Sequence, residues 1–289
     1  MRIHHLNCGN DCPVGGAFFD GKSKGPLGHL VGHCLLIETD AHGLVLVDTG
    51  FGLKDVAHPH DPPARIPRFF RGLLNIRLRE EDTAARQIEA LGFRRDDVRH
   101  IVLTHLDFDH AGGIEDFPGA AVHLMADEYA AANGSRRGFI PNERYRPRQW
   151  DEVTDWRTYA AATGGEGWFG FDAVRDLDGL PPEILLVPLP GHTWGHAGVA
   201  VRRSDGEDGS RWLLHAGDAY FYRGEVRADR RRCTPGLRAY QTMMEVHREQ
   251  RLLNQELVRR LSVEKRDEVQ VVCAHDPVEF ERCAAGRAL

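Results

Sequence analysis

Short apolar blocks recur along the chain, each bounded by polar or glycine-rich stretches. Cys34–Thr39 and Leu44–Asp48 are two such blocks around Asp40-Ala41-His42-Gly43, a pattern that predicts a β-hairpin. Further runs at Ile101–Thr104, Ala121–Met125, Ile184–Pro188, Val199–Val201, Trp212–Leu214 and Val269–Cys273 read as buried-type strands. Helical spacing appears between them. Asp82 is placed to cap a helix that carries Ala84, Ala85, Ile88 and Leu91 on one face and stops at Gly92. Phe69–Leu78, Asp127–Ala132 and Pro277–Cys283 read as short helices. Leu237–Leu261 reads as one long helix, with Met243, Met244, Val246, Leu252, Leu253, Leu257, Val258 and Leu261 apolar. Residues 55–68 are rich in Pro and His and predict irregular backbone. Residues 134–182 show weak periodicity and read as an insertion or lid with short helices. Strands interleaved with helices indicate an α/β fold.

Four of the apolar runs lead directly into His or Asp, at His105, His192, Asp218 and His275. A rigid sheet positions the residues at its strand ends, so four endings of the same chemical type are expected to converge. The densest cluster is His105-Leu106-Asp107-Phe108-Asp109-His110, with four ligand-type side chains in six residues. Mixed imidazole and carboxylate suit Zn, Fe or Mn, whereas Ca would require oxygen alone. Side chains so close in a tight loop cannot all reach one ion, and a two-metal site accommodates them better.

Charge and composition narrow the classes. The 37 Lys+Arg against 43 Asp+Glu give a net charge of −6, opposite in sign to a nucleic-acid footprint, and the Arg230-Arg231-Arg232 run reads as a solvated face. The 289 residues contain no apolar stretch long enough for a transmembrane helix, and the first residues show no secretory pattern, so a cytoplasmic protein without membrane association is expected. Six scattered cysteines, Cys8 and Cys12 among them, imply structural thiols rather than a disulfide scaffold. Histidine is the unusual entry at 16. His4, His5, His58, His60, His100, His123, His215 and His247 sit in no motif and are expected to be structural or exposed.

The ordered motifs resemble the metallo-β-lactamase-fold hydrolase superfamily. Val47-Asp48-Thr49-Gly50, the 105–110 cluster, Pro190-Gly191-His192-Thr193-Trp194-Gly195-His196, Gly217-Asp218 and His275-Asp276 fall in that family's order across most of the chain. The resemblance implies a four-layer αββα sandwich as a single domain over residues 1–289. It implies two divalent ions, Zn foremost. His105, Asp107 and His192 would hold one ion, and Asp109, His110 and His275 the other, with Asp218 between them. Asp48 would orient a ligand loop, and His196 would support the site rather than bind metal. The family has His where this chain has Asp107, and a carboxylate there favours Fe or Mn. Lactonases of the superfamily place a tyrosine near the bridging Asp, which makes Tyr220 and Tyr222 candidates for contacting the substrate oxygen.

The expected chemistry is attack of a metal-bound hydroxide on a small ester, lactone or related acyl substrate, with Asp109 holding the hydroxide and passing its proton to the leaving group. A phosphodiester or organophosphate hydrolase on the same centre is the alternative. A di-iron oxidoreductase is the lesser one, because the chain ends soon after His275 and leaves no room for a flavin domain. The expected partners are a small molecule and, as an open alternative, a second copy of the chain, with no nucleic acid. Phe69, Phe70, Trp168, Phe169 and Phe171 could line a pocket, although a core role is favoured for each. An arginine of the 134–182 segment, such as Arg136, Arg137, Arg144, Arg146 or Arg148, could hold an anionic group of the substrate.

Overall fold

The computed structural model describes residues 1–60, 64–160, 167–171, 175–203, 212–227 and 230–287. Parts of the predicted insertion, 161–166 and 172–174, lie outside the described residues. Twelve strands form two sheets among the described residues. The first contains β1 (Arg2–Asp11), β2 (Leu30–Glu38), β3 (Leu44–Val47), β4 (Ile76–Arg77), β5 (Val98–Val102), β6 (Ala121–Met125) and β7 (Trp156–Tyr159), in the order β4-β1-β2-β3-β5-β6-β7. The second contains β8 (Arg175–Asp176), β9 (Ile184–Pro188), β10 (Ala197–Arg202), β11 (Trp212–His215) and β12 (Val269–Val272), in the order β12-β11-β10-β9-β8.

Alternation along the strands builds the layers. On β2, Leu35 and Ile37 meet Ile184, Leu186, Val199, Val201 and Leu213 of the second sheet, making the core between the sheets. Cys34 and Leu36 point the other way, into a core shared with Ala84, Ala85 and Ile88 of one helix and Ala132 of another. The opposite face of the second sheet, through Val187, Leu214 and Val271, packs on Val258 and Leu261. The order helix, sheet, sheet, helix is the αββα sandwich that the resemblance implied.

The helices are α1 (Ala17–Asp20), α2 (Leu53–Ala57), α3 (Arg68–Leu74), α4 (Ala84–Ala90), α5 (Ala126–Asn133), α6 (Phe139–Arg144), α7 (Pro235–Met244), α8 (Arg248–Glu264) and α9 (Pro277–Ala284). Thr83, not Asp82, caps α4: its side chain accepts from the Arg86 amide, and Asp82 belongs to a preceding turn. The predicted 237–261 helix is two helices. Glu245 leaves helical geometry at φ −61°, ψ 133°, and the amides of Val246 and His247 donate to the Gly191 carbonyl at 2.9 and 3.1 Å. Apolar positions continue through this break, with Leu237 and Met244 of α7 packing on Leu30, Phe221 and Phe70 and Val258 and Leu261 of α8 packing on the second sheet, so periodicity alone does not reveal it. The predicted 69–78 helix ends at Leu74 and passes into β4. Strand β1, with the polar sequence RIHHLNCGND, gave no apolar signal, yet it pairs along β2 from Arg2↔Glu38 to Asp11↔Leu30. Much of the 134–182 segment is framework rather than lid: β7 joins the first sheet beside β6, and Trp168 and Phe171 are buried against the second. No described helix is long and apolar enough to cross a membrane. All six cysteines are free thiols.

Candidate metal centre

The ends of β3, β5, β9, β11 and β12 open on one edge of the sandwich, and the loops after them carry Asp48, His105–His110, His192, Asp218 and His275. Those loops are held by backbone geometry that side chains would obstruct. Gly217 has φ +52°, and a Cβ on it would meet His196 Nε2 at 2.7 Å; Gly191 has φ +134°, and its Cβ would meet the Arg251 amide nitrogen at 2.3 Å.

Two ligand sets converge. His105, His192 and Asp218 form one, and Asp109, His110 and His275 the other, each with ligand atoms within 4.8 Å of one another. Asp218 stands between them. Its Oδ2 lies 3.7 Å from His105 Nε2 and 3.3 Å from His192 Nε2, and its Oδ1 lies 3.4 Å from His110 Nε2 and 3.1 Å from His275 Nε2. The ring orientations are set from behind. His110 Nδ1 bonds Asp48 Oδ2 at 2.8 Å, His275 Nδ1 bonds the Val31 carbonyl at 2.9 Å, and His105 Nδ1 bonds Thr104 Oγ1 at 2.9 Å. Each bond leaves Nε2 directed inward. His105 Nε2, His110 Nε2 and Asp218 Oδ1 are buried without a hydrogen-bond partner. Such orphaned atoms are costly unless an ion satisfies them, and the donor set of imidazole and carboxylate fits a divalent transition metal.

The electrostatics agree. Burial opposes ionisation of Asp218, yet His275, His110 and His192 hold its carboxyl well below the usual range. Burial also opposes charge on His275, but Asp218 and Asp109 raise it to about 9. Asp109 is raised, first by burial and then by Asp218 and Asp107, against the pull of His110 and His275. The supporting residues behave as expected from sequence. Asp48, at φ +54°, takes the Thr104 amide at 2.8 Å and the Thr104 hydroxyl at 2.7 Å as well as His110. His196 bonds the Leu189 carbonyl and accepts from the Asp218 amide at 2.8 Å.

Asp107 differs from the expected arrangement. Its carboxylate is gripped by Arg144, with Nε–Oδ1 and Nη2–Oδ2 both 2.7 Å. Oδ2 remains 3.1 Å from His192 Nε2 and 3.4 Å from His105 Nε2. Tyr220 is fully buried and its hydroxyl donates to Glu279 at 3.0 Å, while the Tyr222 ring lies under the Arg223 guanidinium and its hydroxyl faces Gly21. The residue between them, Phe221, is the one that faces the centre: it stacks on His275 at 5.0 Å and meets His192 at 5.7 Å.

Several contributors carried no sequence signal. Buried Glu128 on α5 accepts the amides of Leu106 and Gly195 and so ties two ligand loops together. Tyr240 on α7 packs edge-on to Phe221 at 5.8 Å, and burial followed by Asp109, Asp107, Asp11 and Asp218 raises its phenol well above the ordinary range. Asp11, at the end of β1, is raised to about 7 by burial and then by Asp109. Each sits far in sequence from the ligand motifs, so only the fold brings it there. A cavity of about 1080 Å³ lies elsewhere, against Arg2, His4, His5 and Glu38, and holds none of the ligand residues.

Comparison with known proteins places this arrangement. A sequence model of the metallo-beta-lactamase superfamily matches residues 27–265. A probable metallo-hydrolase of Mycobacterium tuberculosis is 42% identical over 277 residues, covering 96% of this chain and 81% of the relative. An N-acyl homoserine lactonase of Bacillus thuringiensis is 32% identical over 199 residues, covering 65% of this chain and 68% of the relative. Among solved structures, an N-acyl homoserine lactone hydrolase with N-hexanoyl-L-homoserine at its catalytic metal centre superposes with a TM-score of 0.69 at 19% identity, covering 97% of this chain and 95% of that one. A dizinc quorum-quenching lactonase gives a TM-score of 0.58 at 14% identity, covering 95% and 87%. With its layers, its ordered ligand loops and a family match over most of its length, the chain belongs to the metallo-beta-lactamase superfamily and is a metal-dependent hydrolase.

Proposed function

We propose that this hydrolase opens a small ester or lactone bearing an apolar arm, at a centre built for two divalent ions, with Zn the favoured metal. The observation that carries the reading is Asp218, whose two carboxylate oxygens each face a separate pair of imidazole nitrogens. Divalent ions held there would lower the pKa of a bound water and polarise the substrate carbonyl.

The chain's own residues supply the remaining requirements. Asp109 is the ligand-type carboxylate with the most access to the cleft, at 11% side-chain exposure against 3–4% for Asp107 and Asp218. Its raised carboxyl can take a proton and release it to the leaving oxygen. Tyr240, which packs edge-on to Phe221 beside the ligand loops, is assigned the hydrogen bond to the developing oxyanion that the resemblance suggested for Tyr220 or Tyr222. An apolar wall stands beside the 105–110 loop: Phe108 packs with Phe51, Phe70 and Met244, and Ile140, Tyr240 and Met243 cover them. Phe69 and Phe139 continue this wall at the surface as an exposed edge-on pair, 5.1 Å apart. An acyl or alkyl arm suits such a wall better than a phosphodiester does. The pairing of Asp107 with Arg144 supports Zn over Fe or Mn, because it engages the carboxylate on which the case for the harder metals rested. The lactonase relatives support the choice of substrate class.

A panel of acyl lactones, aryl esters and phosphodiesters, assayed on protein of measured metal content, tests the proposal. Lactones or esters with a medium acyl chain should be turned over with the highest kcat/KM, and a preference for phosphodiesters would replace the reading with the phosphoryl alternative.

A further inference from the structure

The Arg144 guanidinium is completely engaged. Nε and Nη2 bind the two Asp107 oxygens, Nη1 donates to the carbonyls of His192 at 3.1 Å and Met244 at 2.8 Å, and Nη2 reaches His192 Nε2 at 2.9 Å. All five N–H donors of the side chain therefore have a partner, in a residue with no solvent exposure. Two features of the fold deliver it: α6 ends on Arg144, whose carbonyl accepts the Phe108 amide, and the break between α7 and α8 brings up the Met244 carbonyl. The contact with His192 has a chemical consequence. A guanidinium can only donate, so its contact at 2.9 Å requires His192 Nε2 to present its lone pair, the one a metal would need, rather than a proton to Asp107 Oδ2 at 3.1 Å.

We propose that Arg144 is a resident cation that makes the two metal positions unequal. It keeps Asp107 out of metal coordination and competes for His192, so the His105/His192/Asp218 position binds its ion more weakly than the Asp109/His110/His275 position. The inference rests on the metal-centre reading given above. Filling the weaker position requires surrender of a charge-assisted hydrogen bond, which corresponds to a factor on the order of 10–100 in affinity. Arg144 is thus a positioning residue for the metal centre, not a holder of substrate anions, since it has no donor left to offer.

The test is a titration of metal-stripped full-length protein with Zn²⁺ by calorimetry, repeated with Co²⁺ and followed by visible absorption. The wild-type chain should bind two ions in resolved steps at least about tenfold apart. Arg144→Met should tighten the weaker step by about tenfold or more and leave the tighter step unchanged. Because Arg144→Met leaves Asp107 buried and unpaired, the double variant Asp107→Leu/Arg144→Met serves as a second probe that removes the buried charge and adds no metal ligand; it should show the same tightening. Two equal steps in the wild type, or an unchanged weaker step in both variants, would overturn the role of Arg144 while leaving the hydrolase reading intact. Failure to bind any ion would overturn that reading, and this inference with it.

Discussion

At the residue scale the account assigns separable parts. Asp109→Asn keeps the size of the side chain but removes its basicity, so kcat should fall by about 10²-fold or more with the fold intact. Normal turnover at normal metal content would remove Asp109 from the chemistry. Tyrosines give a sharper contrast. Tyr240→Phe should lower kcat by about tenfold, the scale of one hydrogen bond to a developing charge. Tyr220→Phe should leave kinetics unchanged and cost roughly 1 kcal/mol of stability, because its hydroxyl is spent on buried Glu279, whose carboxyl burial and Asp276 raise to about 8. Equal kinetic losses in the two variants would contradict the placement. The convergence of the candidate ligand residues was legible in sequence because they follow strand ends in a fixed order. Tyr240 and Glu128 were not, since a Glu within a short helix reads as an ordinary surface residue until tertiary contacts bury it, and Arg144 was legible only as one of five arginines that could hold a substrate anion, because nothing in the sequence pairs it with Asp107. Phe221 shows the same limit: the expectation fixed on the tyrosines on either side of it, and only the backbone path after Asp218 decides which of the three faces the ligands.

Elements explain why the site is rigid. Strands β2, β3, β5, β6, β9, β11 and β12 were visible because their apolar runs are buried on both faces, which leaves little else for them to be. Strand β1 was hidden because it is polar along much of its length, and its pairing, not its composition, holds it in the sheet. The break between α7 and α8 was hidden for the reason given above, and it docks on Gly191 and supplies a carbonyl to Arg144. The 134–182 segment was expected to be an insertion or lid, and its Trp168 packs against Trp212 at 5.6 Å and joins the second sheet's outer core. Trp168→Ala should therefore cost about 3–5 kcal/mol, seen as a lower Tm or denaturant midpoint, with substrate ranking unchanged. A shifted substrate ranking at unchanged Tm would return this segment to the pocket.

Across the whole molecule, some histidines outside the centre, His5, His100 and His123 among them, act as hydrogen-bonding groups whose burial favours the neutral form. His100 Nδ1 bonds His123 Nε2 at 3.0 Å, and His123 Nδ1 bonds the Tyr159 hydroxyl at 2.8 Å, linking β5, β6 and β7. Burial, then His100, lowers His123 from 6.5 to about 3, and burial, then Arg203, lowers His5 to about 3. Depressed folded values mean that the unfolded chain binds protons first, so stability is present above about pH 6.5 and is lost as pH falls towards 3, at roughly 1 kcal/mol per pH unit for each group. Urea midpoints at pH 7 and pH 5 should show this slope, flattened in His123→Leu; parallel slopes would contradict it. The central claim is that the convergent ligand loops form a working metal hydrolase for esters or lactones. The most direct test compares the hydrolysis of one acyl lactone by the same folded protein before chelation, after removal of its metal, and after Zn²⁺ is restored. The account predicts turnover, its loss by at least about 10²-fold, and its return in proportion to bound metal. Turnover unaffected by chelation, or none at any metal loading across lactones and esters alike, would contradict it.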